Sequence, residues 1–141
     1  MIFDVNFPNK VILEIAFLNN DAFYYLTFQH THYYVVGGDK EIESNLIGIK
    51  DNGEVYYLTL DDDIACYIAC DIETFIKELL LFDDYMTNIH GQLPDNPSEH
   101  QLRNYANIFR NEILKLDNSA FRDTNTYWSE ICEELEYGIC L

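Results

Sequence analysis

The stretch LIGIKDNGEVYYLTL, residues 46–60, decides the fold of this chain. Its two runs of aliphatic, aromatic and β-branched residues have the composition of β-strands, and Asn52-Gly53 between them suits the positive φ angles of a type I′ turn. The stretch therefore predicts an antiparallel hairpin. The acidic turn Asp61-Asp62-Asp63 and a third strand over residues 64–70 extend it to a meander. Because this third strand is almost entirely apolar, we expect it to be covered on both faces.

Three helices are predicted after the meander. Asp71 is a typical N-cap, and apolar residues recur behind it with a helical repeat over residues 72–82. A second helix is expected to begin at Ser98, because Gln101 completes a capping box. A third is expected to begin near Thr126 and to end at Gly138. The side chains expected in the core come from the apolar stripes of these helices: Phe75, Leu79, Phe109, Trp128 and Ile131.

The first 45 residues give weaker signals. Residues 11–18 suit either a buried strand or a helix that begins near Pro8, and we favour the helix. Residues 22–28 and 32–36 are rich in aromatic and β-branched side chains, which predicts two strands. Gly37-Gly38-Asp39 is expected to form a turn.

The composition indicates a folded, strongly acidic protein. The 141 residues are 48% hydrophobic and 15% aromatic, which is enough apolar surface to close one core. The formal net charge is −17, from 25 acidic and 8 basic residues. Such a surface repels nucleic acids and anionic membranes over a Debye length of about 8 Å. Solubility alone explains such a charge, and a basic partner is the other explanation.

The chain shows no targeting or membrane-spanning pattern. It begins MIFD, without the basic and apolar regions of a signal peptide. No apolar run approaches the ~18 residues of a membrane helix. We therefore expect a soluble, cytoplasmic protein whose cysteines are reduced and serve as small core residues. These cysteines are Cys66, Cys70, Cys132 and Cys140.

Motifs for catalysis, cofactors or metals are not found in the sequence. It has no phosphate-binding glycine loop, nucleophile elbow, H-E-x-x-H or EF-hand pattern. His30 and His32 would point the same way on a strand, but no third ligand is placed beside them. Cys66 and Cys70 lack the C-x-x-C spacing of common metal sites, and no base is placed to activate either thiol. We expect no enzymatic activity, no cofactor and no metal; an enzyme with a novel acidic site is a rival hypothesis.

The acidic residues are concentrated in the middle of the chain. Residues 39–90 carry a net charge of −10, against −2 for residues 1–38 and −5 for residues 91–141. A short turn and a helix face hold the strongest clusters, whereas Glu41 and Glu43 form a smaller one. Our candidate partner-binding residues are Asp61, Asp62, Asp63, Glu130, Glu133 and Glu134. A plain solvated surface is the alternative for each cluster.

In serial order, these segments resemble the central signature of the SUKH superfamily. Residues 47–58 resemble its glycine-ended strand and the following G-x-V-Y strand. The segment YIACD, residues 67–71, and TFIxxL, residues 74–79, resemble the strand that leads into its helix.

The tail is similar to the SUKH-4 branch of that superfamily. FRxxIxxLD at residues 109–117, Ala120 and WxxI at residues 128–131 resemble its helix ending in Ile-Asp, small residue and Trp-bearing helix. Pro8, Leu13 and Phe17 are the counterparts of a Pro-led N-terminal helix. The resemblance extends over residues 45–135.

This resemblance implies a fold and a role. It implies one α+β domain over residues 1–141, with a curved, mainly antiparallel sheet flanked by helices. The length of residues 90–97 independently suits a connection inside one domain better than a boundary between two. Bacterial SUKH proteins are mostly immunity proteins that neutralise a polymorphic toxin of the same strain, very often a nuclease. We therefore expect a cognate protein toxin as the partner, met by an acidic face, and neither nucleic acid nor a membrane. The alternative is an intracellular regulatory or scaffold protein, because the superfamily includes a yeast regulator of cell-wall glucan synthesis.

Overall fold

A computed structural model describes residues 3–89 and 92–139. The chain divides into two compact units, residues 1–76 and 77–141, and the boundary falls within the first helix. The strands are β1 (Ile15–Phe17), β2 (Tyr24–Phe28), β3 (Thr31–Asp39), β4 (Asn45–Ile49), β5 (Val55–Thr59) and β6 (Ile64–Ala69). The helices are α1 (Ile72–Asn88), α2 (Glu99–Leu116) and α3 (Tyr127–Glu136). The fold class is α+β, as predicted.

All strand pairs of the first unit are antiparallel, and the six-stranded sheet is open. The strands follow the order β1-β3-β4-β5-β6, and β2 pairs with β3. Val35 of β3 pairs with both β2 and β4, and Gly37 pairs with both β1 and β4. Strands β1 and β2 therefore lie on the same side of β3. The predicted meander β4-β5-β6 and the helix after it are confirmed.

The predicted hairpin forms with a different turn. Asn52 has no positive φ, whereas Gly53 has φ +91°. The amide of Gly53 donates to the Lys50 carbonyl over 2.9 Å, and the amide of Lys50 donates to the Glu54 carbonyl over 2.9 Å. This is a three-residue loop, a tight turn followed by a left-handed glycine, and the predicted type I′ turn is wrong.

The favoured helix over residues 11–18 is also wrong. Leu13 and Glu14 both have positive φ, at 53° and 62°, so the chain makes a tight turn where a helix would continue. The amide of Ile15 donates to the Ile12 carbonyl over 2.9 Å, and β1 then runs along β3. The apolar run thus supplies a strand, as the alternative had it, but a short one in which only Ile15 is fully buried.

The expected turn at Gly37-Gly38-Asp39 is instead the last part of β3. This strand is crowded there, because β1 and β4 pair with it from both sides. A Cβ at Gly37 would lie 2.6 Å from the Ala16 carbonyl oxygen, and one at Gly38 would lie 2.6 Å from that of Asn45. Glycine is therefore required at both positions because the neighbouring strands leave no room for a side chain, and not because the chain turns there.

A tyrosine-rich cluster covers one face of the sheet. Tyr33, Tyr56 and Tyr67 are buried around Leu58, with ring centroids 5.7–5.9 Å apart along the series. Leu26 and Phe28 of β2 pack on this cluster together with Leu60, with Leu46 of β4 and with Ala65 of β6. The β2–β3 hairpin is therefore bent across the sheet. Strand β6 is buried only from Tyr67 to Ala69, and Ile64 is 53% exposed, so the expected cover along its whole length is wrong.

The second unit has an aromatic core of its own. The Phe109 ring centroid lies 5.6 Å from those of Phe82 and Trp128 and 5.1 Å from that of Tyr85. The capping box of Ser98 and Gln101 is present, and Thr126 caps α3. Gly138 follows α3 with φ +73°, as predicted. All five residues expected in the core are buried, from 0% exposed at Phe75 and Trp128 to 9% at Ile131.

The segment between α2 and α3 is held by two polar side chains. Asp117 is buried, and its carboxylate accepts hydrogen bonds from the Ser119 amide and hydroxyl. The hydroxyl of buried Thr126 donates to the Ala120 carbonyl. Ala120 is 0% exposed, which explains the small residue between the two helices. The predicted connection at residues 90–97 lies between α1 and α2, with His90 and Gly91 outside the described residues.

Candidate partner-binding surfaces

The predicted acidic turn is an exposed and well-defined hairpin end. Asp61, Asp62 and Asp63 all lie in water between β5 and β6. The Ser44 hydroxyl donates to the Asp61 carboxylate over 2.9 Å, and the Gln29 side-chain amide donates to the Asp63 carbonyl over 2.6 Å. Asp63 has φ +55°. The three carboxylates are therefore presented by a backbone that neighbouring segments hold in place.

The structure brings a second acidic segment to this turn. The β3–β4 loop carries Glu41 and Glu43, both exposed, and Asp39 anchors it by accepting the amides of Glu41 and Ile42 over 2.8 and 3.0 Å. Pairing of β4 with β5, together with the Ser44–Asp61 hydrogen bond, sets this loop beside the acidic turn. The strand register thus joins two clusters that are about 20 residues apart in the sequence.

Two apolar side chains are exposed within this acidic surface. Ile42 is 48% exposed between Glu41 and Glu43, and Ile64 is 53% exposed directly after Asp63. We call the set Glu41, Ile42, Glu43, Asp61, Asp62, Asp63 and Ile64 the acidic edge. The acidic edge therefore combines two exposed apolar side chains with five exposed carboxylates.

The other predicted cluster lies on α3, in the second unit. Glu130 and Glu133 are exposed, and Glu134 is partly buried. Although the Glu130 side chain is exposed, the neighbouring protein displaces part of its hydration, and this desolvation, with the nearby charges of Glu134 and Glu133, raises the pKa of Glu130. The acidic edge and this cluster belong to different units, and each forms a surface of its own unit.

A groove of about 390 Å³ lies beside α3. Glu133 lines it, together with Glu136, Asp123 and Tyr137, whereas Glu130 and Glu134 do not. The Arg110 guanidinium lies in this groove, 4.8 Å from the Phe121 ring centroid and 3.5 Å from the Glu136 carboxylate. Tyr137 is 72% exposed at the capped end of the helix. The groove therefore combines an exposed aromatic ring with three carboxylates and a single arginine.

A larger groove, of about 720 Å³, lies in the first unit between residues 5–11 and 16–21. Phe7 and Phe17 contribute its apolar wall, and their ring centroids lie 5.0 Å apart. Its titratable lining residues are Lys10 and Asp21. Such a lining supplies neither a pair of carboxylates nor a base beside a nucleophile.

The histidines and cysteines considered as metal ligands lie in ordinary surroundings. His32 shares a 3.0 Å hydrogen bond with the Thr27 hydroxyl. Cys66 is half-buried, Cys70 is exposed and Cys132 is buried, and none of these three is joined in a disulfide among the described residues. Within residues 3–89 and 92–139, no three or more His, Cys, Asp or Glu side chains converge on a possible metal position. Cys140 lies outside the described residues, and none of the described helices is long and apolar enough to cross a membrane.

Comparison with models of protein families shows which family the chain belongs to. The family model of the SUKH-4 immunity proteins matches residues 1–134. The chain belongs to the SUKH-4 immunity protein family. Neither the curated proteins nor the solved structures give a significant match.

The family match confirms the resemblance read from the strand and helix motifs, and it extends that resemblance to the N-terminal residues. The counterparts proposed for an N-terminal helix, Pro8, Leu13 and Phe17, do not form one in this SUKH-4 protein. Leu13 lies in a turn with φ +53°, and Phe17 is in β1. The tail motif has a structural basis in Asp117 and Ala120, which shape the segment between α2 and α3.

Sequence reasoning missed several residues of these surfaces. Ile42, Ile64 and Tyr137 are apolar or aromatic, so their types alone suggested a buried position. Asp123 joins Glu133 only through the fold of the second unit, whereas Glu136 lies three residues after Glu133 on α3 and belongs to the acidic cluster that the sequence shows. A usable signal was available for Ile42 and Ile64, since each directly adjoins acidic residues at the end of a strand.

Proposed function

We propose that this SUKH-4 protein binds and neutralises a cognate protein toxin with a basic active face, most simply a nuclease, and that the acidic edge makes the primary contact. The single observation that carries this proposal is the pairing of exposed Ile42 and Ile64 with five carboxylates on two adjoining loops. The family supplies the immunity role. The acidic edge indicates what kind of partner surface would fit it, namely a basic one.

A nuclease must be basic where it grips phosphate. A protein with 17 net negative charges is attracted to such a face, and its approach is steered at rates well above about 10⁶ M⁻¹s⁻¹. By covering the phosphate-binding residues, the inhibitor prevents the substrate from entering. No covalent chemistry is required of the inhibitor in this scheme.

Affinity needs more than charge, because exposed ion pairs contribute little. A few anchors that become fully buried on binding carry most of the binding free energy, within a rim that excludes water. Ile42 and Ile64 are suited to be such anchors on the acidic edge. Their loops are held by hydrogen bonds within the unit, so little conformational entropy is lost when they dock.

The α3 groove is a second contact surface in this proposal. Tyr137 offers a large ring at low entropic cost, and Glu133 beside it offers a carboxylate to a basic residue. Glu130 and Glu134, outside the groove, add to the negative potential of the helix. We propose that the two units act together as one domain, in the cytoplasm, where a nuclease toxin would reach its substrate.

The test is binding of the purified protein to the toxin domain encoded beside its gene. Calorimetry should give a one-to-one complex, and co-expression should restore growth. Ile42→Ala and Ile64→Ala should each weaken binding by about tenfold or more. Ile108→Ala is the matched control, because Ile108 is 40% exposed on α2 and belongs to neither surface.

Each result has a definite meaning. If the neighbouring toxin does not bind, the immunity role of this chain is wrong, and the regulatory or scaffold role takes its place. If the toxin binds but the isoleucine variants and the Ile108 control behave alike, the acidic edge is not the contact surface. If the isoleucine variants bind normally, and Tyr137→Ala loses binding while Tyr137→Phe keeps it, the contact surface is the α3 groove alone.

A further inference from the structure

The β2–β3 hairpin is an uncharged region on a highly charged protein. Residues 22–38 contain no Asp, Glu, Lys or Arg, although 23% of the chain is charged. The hairpin is nevertheless at the surface, where Tyr24 is 43% and Tyr25 is 68% exposed. Its surface therefore differs in kind from the acidic surfaces described above.

The outer side of β2 is an open strand edge. Among the described strands, β2 pairs only with β3. Proteins usually protect such edges with charged residues, prolines or bulges. Residues Tyr24–Phe28 include none of these residue types, and the pairing with β3 runs without a register shift.

The hairpin geometry shows which backbone groups face outward. Gln29 and His30 both have positive φ, at 53° and 58°, and form a two-residue turn closed by the pair Phe28 and Thr31. A pair that closes such a turn is hydrogen-bonded, and bonded pairs alternate along the ladder. The amides and carbonyls of Tyr25 and Thr27 therefore point away from β3, toward the open edge.

We propose that two copies of this protein associate through β2, pairing antiparallel about a two-fold axis at Leu26. Tyr25 then lies opposite Thr27 of the partner subunit, and the two copies exchange four backbone hydrogen bonds. An antiparallel strand pair is self-complementary under a two-fold axis. This association goes beyond the proposed toxin binding and does not depend on it.

The charge distribution favours a second copy as the occupant. Two copies carry 17 net negative charges each, so they repel one another wherever acidic surfaces meet. Residues 22–38 bring no Asp, Glu, Lys or Arg side chain of their own to a contact between two copies. The ring of Tyr25 is held beside the edge by Tyr34, with centroids 4.7 Å apart, so it is already ordered for such a contact.

The test compares the wild type with Thr27→Pro by analytical ultracentrifugation, from about 10 µM to about 1 mM protein, the range of weak associations. The amide of Thr27 faces outward, so proline breaks no β2–β3 ladder bond, but it blocks the edge. Thr27→Val is the matched control: it also loses the hydrogen bond to His32, and it keeps the amide. The wild type and Thr27→Val should dimerise with similar Kd, and Thr27→Pro should raise the Kd at least tenfold.

Two further measurements guard against a variant that is merely unfolded. Tyr25→Glu, which adds a like charge to each copy, should also raise the Kd. Amide hydrogen exchange of Tyr25 and Thr27 in the wild type should slow as the concentration rises. A wild type that stays monomeric at all concentrations, or a dimer that Thr27→Pro and Tyr25→Glu leave intact, would overturn the proposal. The proposal would also be overturned if the protein is a monomer and the two β2 variants lose only toxin binding, because the open strand of β2 would then bind the toxin.

Discussion

The side-chain amide of Gln29 donates a 2.6 Å hydrogen bond to the backbone carbonyl of Asp63. Gln29 lies between β2 and β3, and Asp63 lies between β5 and β6. In the sheet, β3 and β6 are separated by β4 and β5, so this hydrogen bond crosses two strands. The contact is possible because the β2–β3 hairpin bends over the tyrosine cluster. Both residues have positive φ, at 53° and 55°, and a cross-sheet bond thus joins two unfavourable backbone conformations.

Gln29→Ala should lower the free energy of unfolding by about 1 kcal/mol, the typical net contribution of one hydrogen bond. Gln29→Gly loses the same bond, but it relieves the positive φ, which costs a non-glycine residue about 1–2 kcal/mol. The glycine variant should therefore be more stable than the alanine variant in urea unfolding. If alanine is the more stable of the two, the backbone strain has been misjudged.

Gly53→Val should destabilise the β4–β5 hairpin by about 1–3 kcal/mol. Gly53 has φ +91°, and its nearest non-local atom is the Cys70 carbonyl oxygen, 3.8 Å from a built Cβ. The cost therefore comes from the backbone and not from a clash. Gly53→Asn, which tolerates left-handed backbone better, is the control and should cost less in denaturant unfolding.

Trp128→Ala should lower the free energy of unfolding by about 3–5 kcal/mol, because the side chain is 0% exposed in the aromatic core of the second unit. The indole Nε1 is buried without a hydrogen-bond partner among the described residues. Trp128→Phe removes this donor and keeps a ring, so it should cost much less than alanine. Thermal unfolding of the two variants decides the point, and equal losses would contradict the view that the volume of the buried ring sets the cost.

The triple variant Asp61/Asp62/Asp63→Asn should bind the toxin more slowly, with a flatter dependence of the association rate on salt. Dissociation should change less, because rim charges act mainly on encounter. Asp4/Asp21/Asp95→Asn removes the same charge from exposed sites elsewhere and is the matched control. Stopped-flow association at several salt concentrations separates the two, and identical salt slopes would show that only net charge matters.

The stability of the protein should fall in alkaline solution. Burial raises the pKa of the Cys132 thiol to about 12, with a smaller opposite effect of Arg110, and burial raises the pKa of Tyr85 to about 12. The unfolded chain loses these protons near the ordinary values of 9.0 and 10.0. The folded state therefore binds more protons between pH 9 and 12, and the free energy of unfolding decreases as the pH rises through that range.

Urea unfolding from pH 8 to 11 measures this slope. Tyr85→Phe should make the slope less steep, because the variant removes one of the groups whose pKa is raised in the folded state; burial raises the pKa of Tyr57 to about 12 as well. An unchanged slope in Tyr85→Phe, or a stability that rises with pH, would contradict the assignment.

The sequence predicted those elements whose signals are local. Asp71, Ser98 with Gln101, and Thr126 each cap a helix through atoms within three residues, so position along the chain was sufficient. The predicted type I′ turn at Asn52-Gly53 is wrong although its hydrogen bonds are local, because the same Asn-Gly pair also fits a three-residue loop that ends in a left-handed glycine. Gln29 and His30 adopt the type I′ geometry expected of Asn52-Gly53, in a hairpin whose end is tied to Asp63.

The candidate surfaces were only partly predictable, because only part of their signal is local. A run of three aspartates between strands identified an exposed turn directly. The loop with Glu41 and Glu43 lies beside this turn only because the strand register pairs Asn45 with Thr59, and the sequence does not show that register. Gly37 and Gly38 looked like a turn because the sequence does not distinguish a glycine needed for φ from one needed for space.

The central place of β3 has a consequence for the order of folding. Every other strand pair joins consecutive strands, but β1 pairs with β3 across the intervening β2. Consecutive hairpins close short loops and are therefore kinetically favoured. We expect β1 to dock last, onto the narrow backbone path left by Gly37 and Gly38, although it leaves the ribosome before all the other strands. A chain stalled at that step would leave the backbone groups of residues 37–39 of β3 unpaired on the side that β1 covers, and it is this intermediate that a chaperone or a protease would meet.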